Sequence, residues 1–184
     1  MRIIAGSKRR LVLKTVPGRD IRPTTDRIKE TLFNILQDEV PGSYFLDLFA
    51  GSGQIGLEAV SRGARYAVFV ENSRQAAGCI EENIEKTRSG RECMLLKMDV
   101  MAALGHLEGK YQFDVVFMDP PYNEGWEKNV LARLKSSSLL KENALIVTEA
   151  ALNTDFSYLD GMGYDVVKEK RYKTNLHMFV TPRP

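Results

Sequence analysis

The sequence predicts an α/β protein: a doubly wound, mainly parallel sheet with an antiparallel C-terminal edge and a small N-terminal β-ribbon. Three observations carry this prediction. Short, almost wholly apolar segments at 44–50 (YFLDLFA), 67–71 (AVFVE), 93–99 (CMLLKMD), 113–119 (FDVVFMD) and 144–149 (ALIVTE) alternate with stretches of helical period. Apolar strands separated by helices belong to parallel sheets covered on both faces. A glycine-rich turn, FAGSGQIG at 49–56, follows the first segment and opens a helix. Two further runs, YDVVKEKRYK and NLHMFVT, close the chain with only Thr174 between them, as an antiparallel pair on the sheet edge requires.

Along the chain, MRIIAG and RRLVLKTV flank Ser7-Lys8, and Pro17-Gly18 closes the second run. They read as a hairpin or ribbon over residues 1–20, appended to a core of 21–184 within one domain. In RPTTDRIKETLFNILQ the period changes: Ile28, Leu32, Ile35 and Leu36 recur at helical spacing, and Thr25 or Asp26 can cap the start. Pro41-Gly42 ends that helix. Further helices are expected at 54–62, at 73–88 with Ser73 as cap and Ala76, Ala77, Ile80 and Ile84 on one face, at about 100–107, and at 125–138. The hydrophobic fraction of 43% supplies a core and argues against disorder. No apolar run exceeds about six residues, far short of the ~20 that span a bilayer, and the basic N-terminus lacks the apolar stretch of a signal peptide. Cys79 and Cys93 are too few for a disulfide framework and fit a reducing cytoplasm, the expected location. His106 and His177 lack ligand spacing, so no metal is expected.

Charge is uneven. Residues 1–30 hold nine Lys and Arg against Asp20, Asp26 and Glu30, so this segment carries +6 and the rest of the chain −4. A basic end on a mildly acidic body points to an anionic partner. A solvated, charged arm accounts for the same composition.

Ligands of open α/β sheets bind outside the carboxyl ends of the strands. Asp47 with the glycine turn, Glu71, Asp99 and Asp119-Pro120-Pro121-Tyr122 all fall there. Gly51-Ser52-Gly53-Gln54-Ile55-Gly56 matches the dinucleotide fingerprint G-x-G-x-x-G, with Glu71 twenty positions after Gly51. Gly51 and Gly53 allow close backbone approach, and the helix beginning near Gln54 offers free N–H groups. Asp47 decides against a pyrophosphate: a carboxylate there repels phosphate and pairs with an ammonium. Ammonium, carboxylate, ribose diol and adenine together describe S-adenosylmethionine, with Glu71 on the ribose and Asp99 on the adenine amino group. Phe49, Ala50, Gly51, Ser52, Gly53, Asn72, Val100 and Asp119 complete the expected cofactor site. Gly56 is read as a helix-packing residue. Two prolines after a strand stiffen the chain at VVFMDPPY. Asp119 and the Pro120 carbonyl can bind the two hydrogens of an exocyclic amino group and turn its lone pair towards a sulfonium methyl. Tyr122 offers a face on which an extruded base stacks. Trp126 either flanks that pocket or packs at a helix start.

These motifs, DLFAGSG, VFVE, MDV and VVFMDPPY, resemble those of class I S-adenosylmethionine-dependent methyltransferases, and D-P-P-Y resembles the type that methylates exocyclic or amide nitrogens. With RIIAGSKRRLVL, RPTTDRIKETLFNIL, LDLFAGSGQIGLEAVSRGA and EKRYKTNLHMF, essentially the whole chain resembles the bacterial 16S rRNA guanine-N2 methyltransferase family. The resemblance implies a seven-stranded sheet, methyl transfer to one guanine of 16S rRNA in the small ribosomal subunit, and a ribbon that helps grip RNA. Lys8, Arg9, Arg10 and Lys14 on that ribbon, with Arg22 and Thr24 before the first helix, are the expected RNA contacts. A monomer suffices. Rival readings are an adenine-N6 or protein-glutamine methyltransferase, an NAD-dependent oxidoreductase, and a non-catalytic RNA-binding assembly factor.

Overall fold

The computed structural model describes residues 1–16 and 25–184. Arg22 and Thr24, together with Pro17-Gly18, lie outside the described residues. Seven strands form one sheet: β1 (Tyr44–Leu48), β2 (Tyr66–Val70), β3 (Cys93–Leu96), β4 (Phe113–Met118), β5 (Leu140–Ala151), β6 (Tyr164–Arg171) and β7 (Asn175–Pro182). Their spatial order is β3-β2-β1-β4-β5-β7-β6. The first five run parallel, and β7 inserts antiparallel between β5 and β6. The expected antiparallel edge is therefore present, with the last strand in the sequence placed inside it.

Helices cover both faces. Strand residues alternate sides, so Phe45, Ala67, Phe69, Val115 and Phe117 pack with α1 (Asp26–Ile35), α2 (Gln54–Ser61) and Ile80 of α3 (Arg74–Lys86). Leu46, Leu48, Val68, Val70, Val116 and Met118 pack on the opposite face with α4 (Val100–Leu107) and α5 (Trp126–Lys135). The short segment FSYLDGMG contains a single turn of helix, α6 (Tyr158–Gly161). Among the described residues, no helix is long and apolar enough to cross a membrane.

Several boundaries differ from the sequence expectation. The first strand stops at Leu48 rather than 50 because Phe49 turns to φ 58° and Gly51 follows at φ 58°, outside extended backbone. The third ends at Leu96 rather than 99, where Asp99 begins to cap α4. The fifth begins at Leu140, and its predecessor helix stops at Lys135 rather than 138. In α1 the buried face is Lys29, Leu32 and Phe33, with Ile28 and Ile35 only half-buried.

The N-terminal runs pair as a minimal ribbon, reduced to one antiparallel bridge between Arg2 and Val12. Backbone hydrogen bonds from Ile3 N–H to the Leu11 carbonyl (3.0 Å), Arg10 N–H to that of Ile3 (2.9 Å) and Leu13 N–H to that of Met1 (3.0 Å) join the runs, and α2 holds the ribbon to the core. Glu58 accepts the backbone N–H groups of Ile4 (2.9 Å) and Ala5 (3.0 Å), and Ser61 Oγ accepts that of Lys8 (3.0 Å). Glu58 is fully buried, and so is Lys29, whose Nζ lies 3.5 Å away and donates to the Arg2 carbonyl. Burial pulls the Lys29 ammonium down and Glu58 opposes that pull. Asn83 of α3 accepts from Lys14 N–H (2.7 Å) and donates to the carbonyls of Lys14 (3.0 Å) and Ser52 (2.9 Å). One side chain thus ties the ribbon to the glycine turn.

Gly56 serves packing, as expected. A Cβ there would lie 2.3 Å from the Phe69 ring, which is fully buried. Gly56→Ala is expected to lower the unfolding free energy by about 1–3 kcal/mol, the usual cost of overpacking, despite alanine's better helix propensity. Urea unfolding measures this, and an unchanged midpoint would show that Phe69 moves aside freely.

Candidate active site

Register sets the site. Leu48 of β1 pairs with Val70 of β2 and with Met118 of β4, and Met118 pairs with Thr148 of β5. Parallel strands aligned in this way bring their next residues to one level: Phe49, Glu71 and Asp119 just past their strands, and Glu149 still within β5. The connections on the two sides of β1 run in opposite directions, since β2 lies on one side and β4 on the other, and ligand crevices form at such a switch.

A cavity of about 520 Å³ opens there. Of the residues expected to hold the cofactor, Asp47, Phe49, Ala50, Gly51, Ser52, Glu71, Asn72, Asp99, Val100 and Asp119 line it. Gly53 sits just behind as the N-cap of α2, in left-handed conformation at φ 78°. Pro120, Pro121 and Tyr122 line it too, with Glu124, Trp126 and Glu149. Trp126 does both things expected of it: it lines the cavity and packs edge-on against Phe49 at 5.6 Å.

The turn is braced from within. Asp47 accepts the Gly56 N–H at 2.9 Å. Glu71 accepts the N–H groups of Gly51 (2.9 Å) and Ser73 (2.8 Å), and Asp99 accepts those of Met101 (2.8 Å) and Ala102 (3.2 Å). Each carboxylate keeps lone pairs for a ligand, since one carboxylate offers about four acceptor sites. Burial pushes the Asp47 carboxyl up to about 8, against the Gly56 hydrogen bond. Asp119 is open to the cavity but otherwise enclosed by protein. Desolvation first, then the Glu149 and Asp47 carboxylates, raise it well above the ordinary carboxylate range.

Glu149 lines the same cavity, and the strand-end reading missed it. It is buried and accepts from Asn175 Nδ2 (2.6 Å), His177 Nε2 (3.1 Å) and the Tyr122 hydroxyl (3.3 Å). A carboxylate only accepts, so His177 carries its proton on Nε2, and Nδ1 meets the Tyr172 hydroxyl at 3.3 Å. His177 is thus a satisfied, fully buried histidine, whereas His106 is exposed. The signal was available: the segment ALIVTE, read as the fifth strand, ends on a carboxylate, although β5 itself continues to Ala151.

The basic residues divide differently from the sequence expectation. Lys14 pairs with Glu82 at 2.6 Å, Arg2 with Asp26 at 2.8 Å, and Lys29 is buried beside Glu58. Lys8, Arg9 and Arg10 form the ribbon tip against Ser61, at the C-terminal end of α2. The glycine turn is at the other end, about 12 Å away at 1.5 Å per helical residue. The ribbon cations are therefore not part of the cavity.

Six carboxylates line the cavity (Asp47, Glu71, Asp99, Asp119, Glu124 and Glu149), and no Lys, Arg or His among the described residues does. Among the described residues, no group of three His, Cys, Asp or Glu side chains is arranged to hold a metal ion. Such a wall repels a pyrophosphate and favours a ligand carrying positive charge. An ammonium and a sulfonium on one adenosine fit it; a dinucleotide does not. Antiparallel β7, inserted next to β5, likewise departs from a doubly wound dehydrogenase domain. Fold and cavity together assign the chain to the S-adenosylmethionine-dependent methyltransferases.

The comparisons narrow the class. Residues 1–180 match the family model described as Conserved hypothetical protein 95, and the chain belongs to that family. The Haemophilus influenzae protein named Ribosomal RNA small subunit methyltransferase D is 34% identical over 171 residues, 92% of this chain and 88% of its own. The Escherichia coli protein of the same name is 34% identical over 150 residues, covering 82% and 74%. A solved Escherichia coli structure, 31% identical, superposes with a TM-score of 0.86 over 100% of this chain and 98% of that one.

Proposed function

We propose that this protein transfers a methyl group from S-adenosylmethionine to the exocyclic N2 of a guanine in 16S rRNA of the small ribosomal subunit, working as a cytoplasmic monomer. The observation that carries the reading is that Asp119 and Glu149 directly follow the paired residues Met118 and Thr148 of β4 and β5 and both line one cavity. Guanine presents two neighbouring donors, N1–H and the N2 amino group. Two neighbouring acceptors match that edge. Adenine presents its amino group beside a bare ring nitrogen, which a second carboxylate repels. The relatives named as small-subunit rRNA methyltransferases support the same substrate class.

When bound, S-adenosylmethionine supplies an electrophilic methyl group. In this reading Asp47 pairs with its ammonium, Glu71 accepts from the ribose, and Asp99 accepts from the adenine amino group. Ala50, Gly51, Ser52 and Gly53 bring backbone close to it, while Phe49, Asn72 and Val100 shape its seat. Asp119 and the Pro120 carbonyl hold the two N2 hydrogens, drawing a nitrogen lone pair out of conjugation and in line with the methyl. Pro121 keeps that carbonyl fixed, and Tyr122 stacks on the base. After transfer, the surplus N2 proton passes to the Asp119 carboxylate. Positioning and oriented hydrogen bonds supply most of the acceleration.

Calorimetry with S-adenosylmethionine, its demethylated product and NADH tests the cofactor. The sulfonium form is expected to bind more tightly than the neutral thioether product, because the cavity wall is anionic; tight NADH binding instead overturns the assignment. Because Asp47 titrates near 8 in the free protein, its carboxyl is largely protonated at pH 7 and pairing with an ammonium ejects that proton. Affinity is then expected to climb with pH and level off above about 8. Buffers of different ionisation enthalpy detect the released proton, and no release means that the ammonium lies elsewhere. Radiolabelled methyl transfer to small ribosomal subunits lacking the modification, followed by mapping of the product base, tests the substrate. Label on adenine or on protein would overturn it.

A further inference from the structure

We infer that the cleft between the N-terminus of α1 and the β6–β7 hairpin is a seat for the phosphodiester backbone of the RNA whose base enters the active site. The inference rests on the rRNA reading above. The cleft has a volume of about 390 Å³ and is lined by Thr25, Arg27 and Thr31 on one side and by Lys170, Tyr172 and Lys173 on the other.

Its cations are available. Arg27, Lys170 and Lys173 have no ion pair with any carboxylate among the described residues, whereas the fourth, Arg171, is held by Glu169 (2.6 Å) and the Leu152 carbonyl (2.9 Å). Asp26, the acid in the first turn of α1, is occupied by Arg2 at 2.8 Å. The ten-residue helix α1 points its positive dipole end at the same cleft.

Location is the second, independent observation. Tyr172 lines the cleft, and its hydroxyl is 3.3 Å from His177 Nδ1, while His177 Nε2 is 3.1 Å from Glu149 in the catalytic cavity. Cleft and cavity therefore share one wall, a single Tyr–His–Glu contact thick. Six carboxylates make the cavity hostile to phosphate, so only the base of an extruded nucleotide is admitted. The phosphates on either side of that nucleotide must be neutralised next door, and the cleft is where three cations stand without an ion pair among the described residues. Protection of an edge strand explains charge on β6, but Lys173 lies in the turn after β6 and Arg27 lies on α1. The cleft is also separate from the ribbon tip at the far end of α2.

A variant carrying Arg27→Gln, Lys170→Gln and Lys173→Gln tests this. Fluorescence anisotropy with a 16S rRNA fragment is expected to show weaker binding, about tenfold or more near physiological salt. The log–log salt slope is expected to become shallower by about 2–3, at about 0.7–0.9 for each phosphate no longer neutralised. S-adenosylmethionine affinity and the unfolding midpoint stay unchanged, and KM for RNA rises while kcat holds. An unchanged salt slope overturns the proposal. So does binding that weakens on assembled subunits but not on free rRNA, which assigns the cleft to a ribosomal protein. If the wild type binds RNA through the cleft yet methylates none, the cleft stands and the functional reading falls.

Discussion

Asp119→Asn is expected to keep the cofactor and to lose methyl transfer by about 10²–10³-fold, the scale seen when one oriented transition-state hydrogen-bond partner is removed. The substitution preserves shape. It replaces a carboxylate oxygen with an amide N–H, which opposes the N2 hydrogens that it must accept. In the proposed arrangement S-adenosylmethionine meets Asp119 only at one end, so its affinity measured by calorimetry is expected to change by no more than a few-fold. Retained turnover removes Asp119 from the mechanism. The wild-type pH profile carries a second signature. Only the deprotonated carboxylate can take up the surplus N2 proton, and its titration is raised by desolvation and by Glu149 and Asp47. At saturating S-adenosylmethionine, the ascending limb of kcat/KM for RNA is therefore expected above the ordinary carboxylate range, and that limb disappears in Asp119→Asn. A limb in the ordinary range shows that another group controls the rate.

Glu149→Gln is expected to change which base is accepted as well as how fast. In the wild type, a Glu149 oxygen that accepts guanine N1–H rejects 2-aminopurine, which keeps the 2-amino group but presents a bare N1. Sites built around such a hydrogen bond discriminate by large factors, up to about 10⁴. The glutamine amide would offer an N–H to that bare nitrogen, so the preference for guanine over 2-aminopurine in an rRNA fragment is expected to shrink by at least tenfold while transfer to guanine falls. A merely structural Glu149 lowers both rates together and leaves their ratio intact. The same variant also loses an acceptor: Asn175, His177 and Tyr122 all point at this carboxylate. An unpaired buried donor costs about 1–3 kcal/mol, so the unfolding midpoint is measured alongside.

Much of the site was legible before the fold was known, for a local reason. A carboxylate or a glycine turn directly after an apolar run lies at a strand end, and parallel strands carry all such ends to one edge. Asp47, Glu71, Asp99 and Asp119 followed from that rule, and so did the role of Gly56 against Phe69. Glu149 also follows an apolar run, but β5 continues past it to Ala151, and its three partners come from Tyr122 and from β7, 26 to 28 residues away. Only pairing of β7 beside β5 places His177 opposite Glu149.

Charge was the least legible property. The sequence displays nine cations in residues 1–30 as one basic arm. Folding buries Lys29, binds Arg2 and Lys14 to acids, moves Lys8, Arg9 and Arg10 to the far end of α2, and leaves Arg27 facing Lys170 and Lys173 across a cleft. Periodicity and strand-end chemistry depend on neighbours within a few residues, so the chain by itself determined the α/β class, the parallel core and the glycine-turn cavity. Which charges are neutralised, and which stand together beside the acidic cavity, depends on pairs far apart in the chain. Only the tertiary structure decided that, because an electrostatic interaction is set by distance and burial in space, not by order along the sequence.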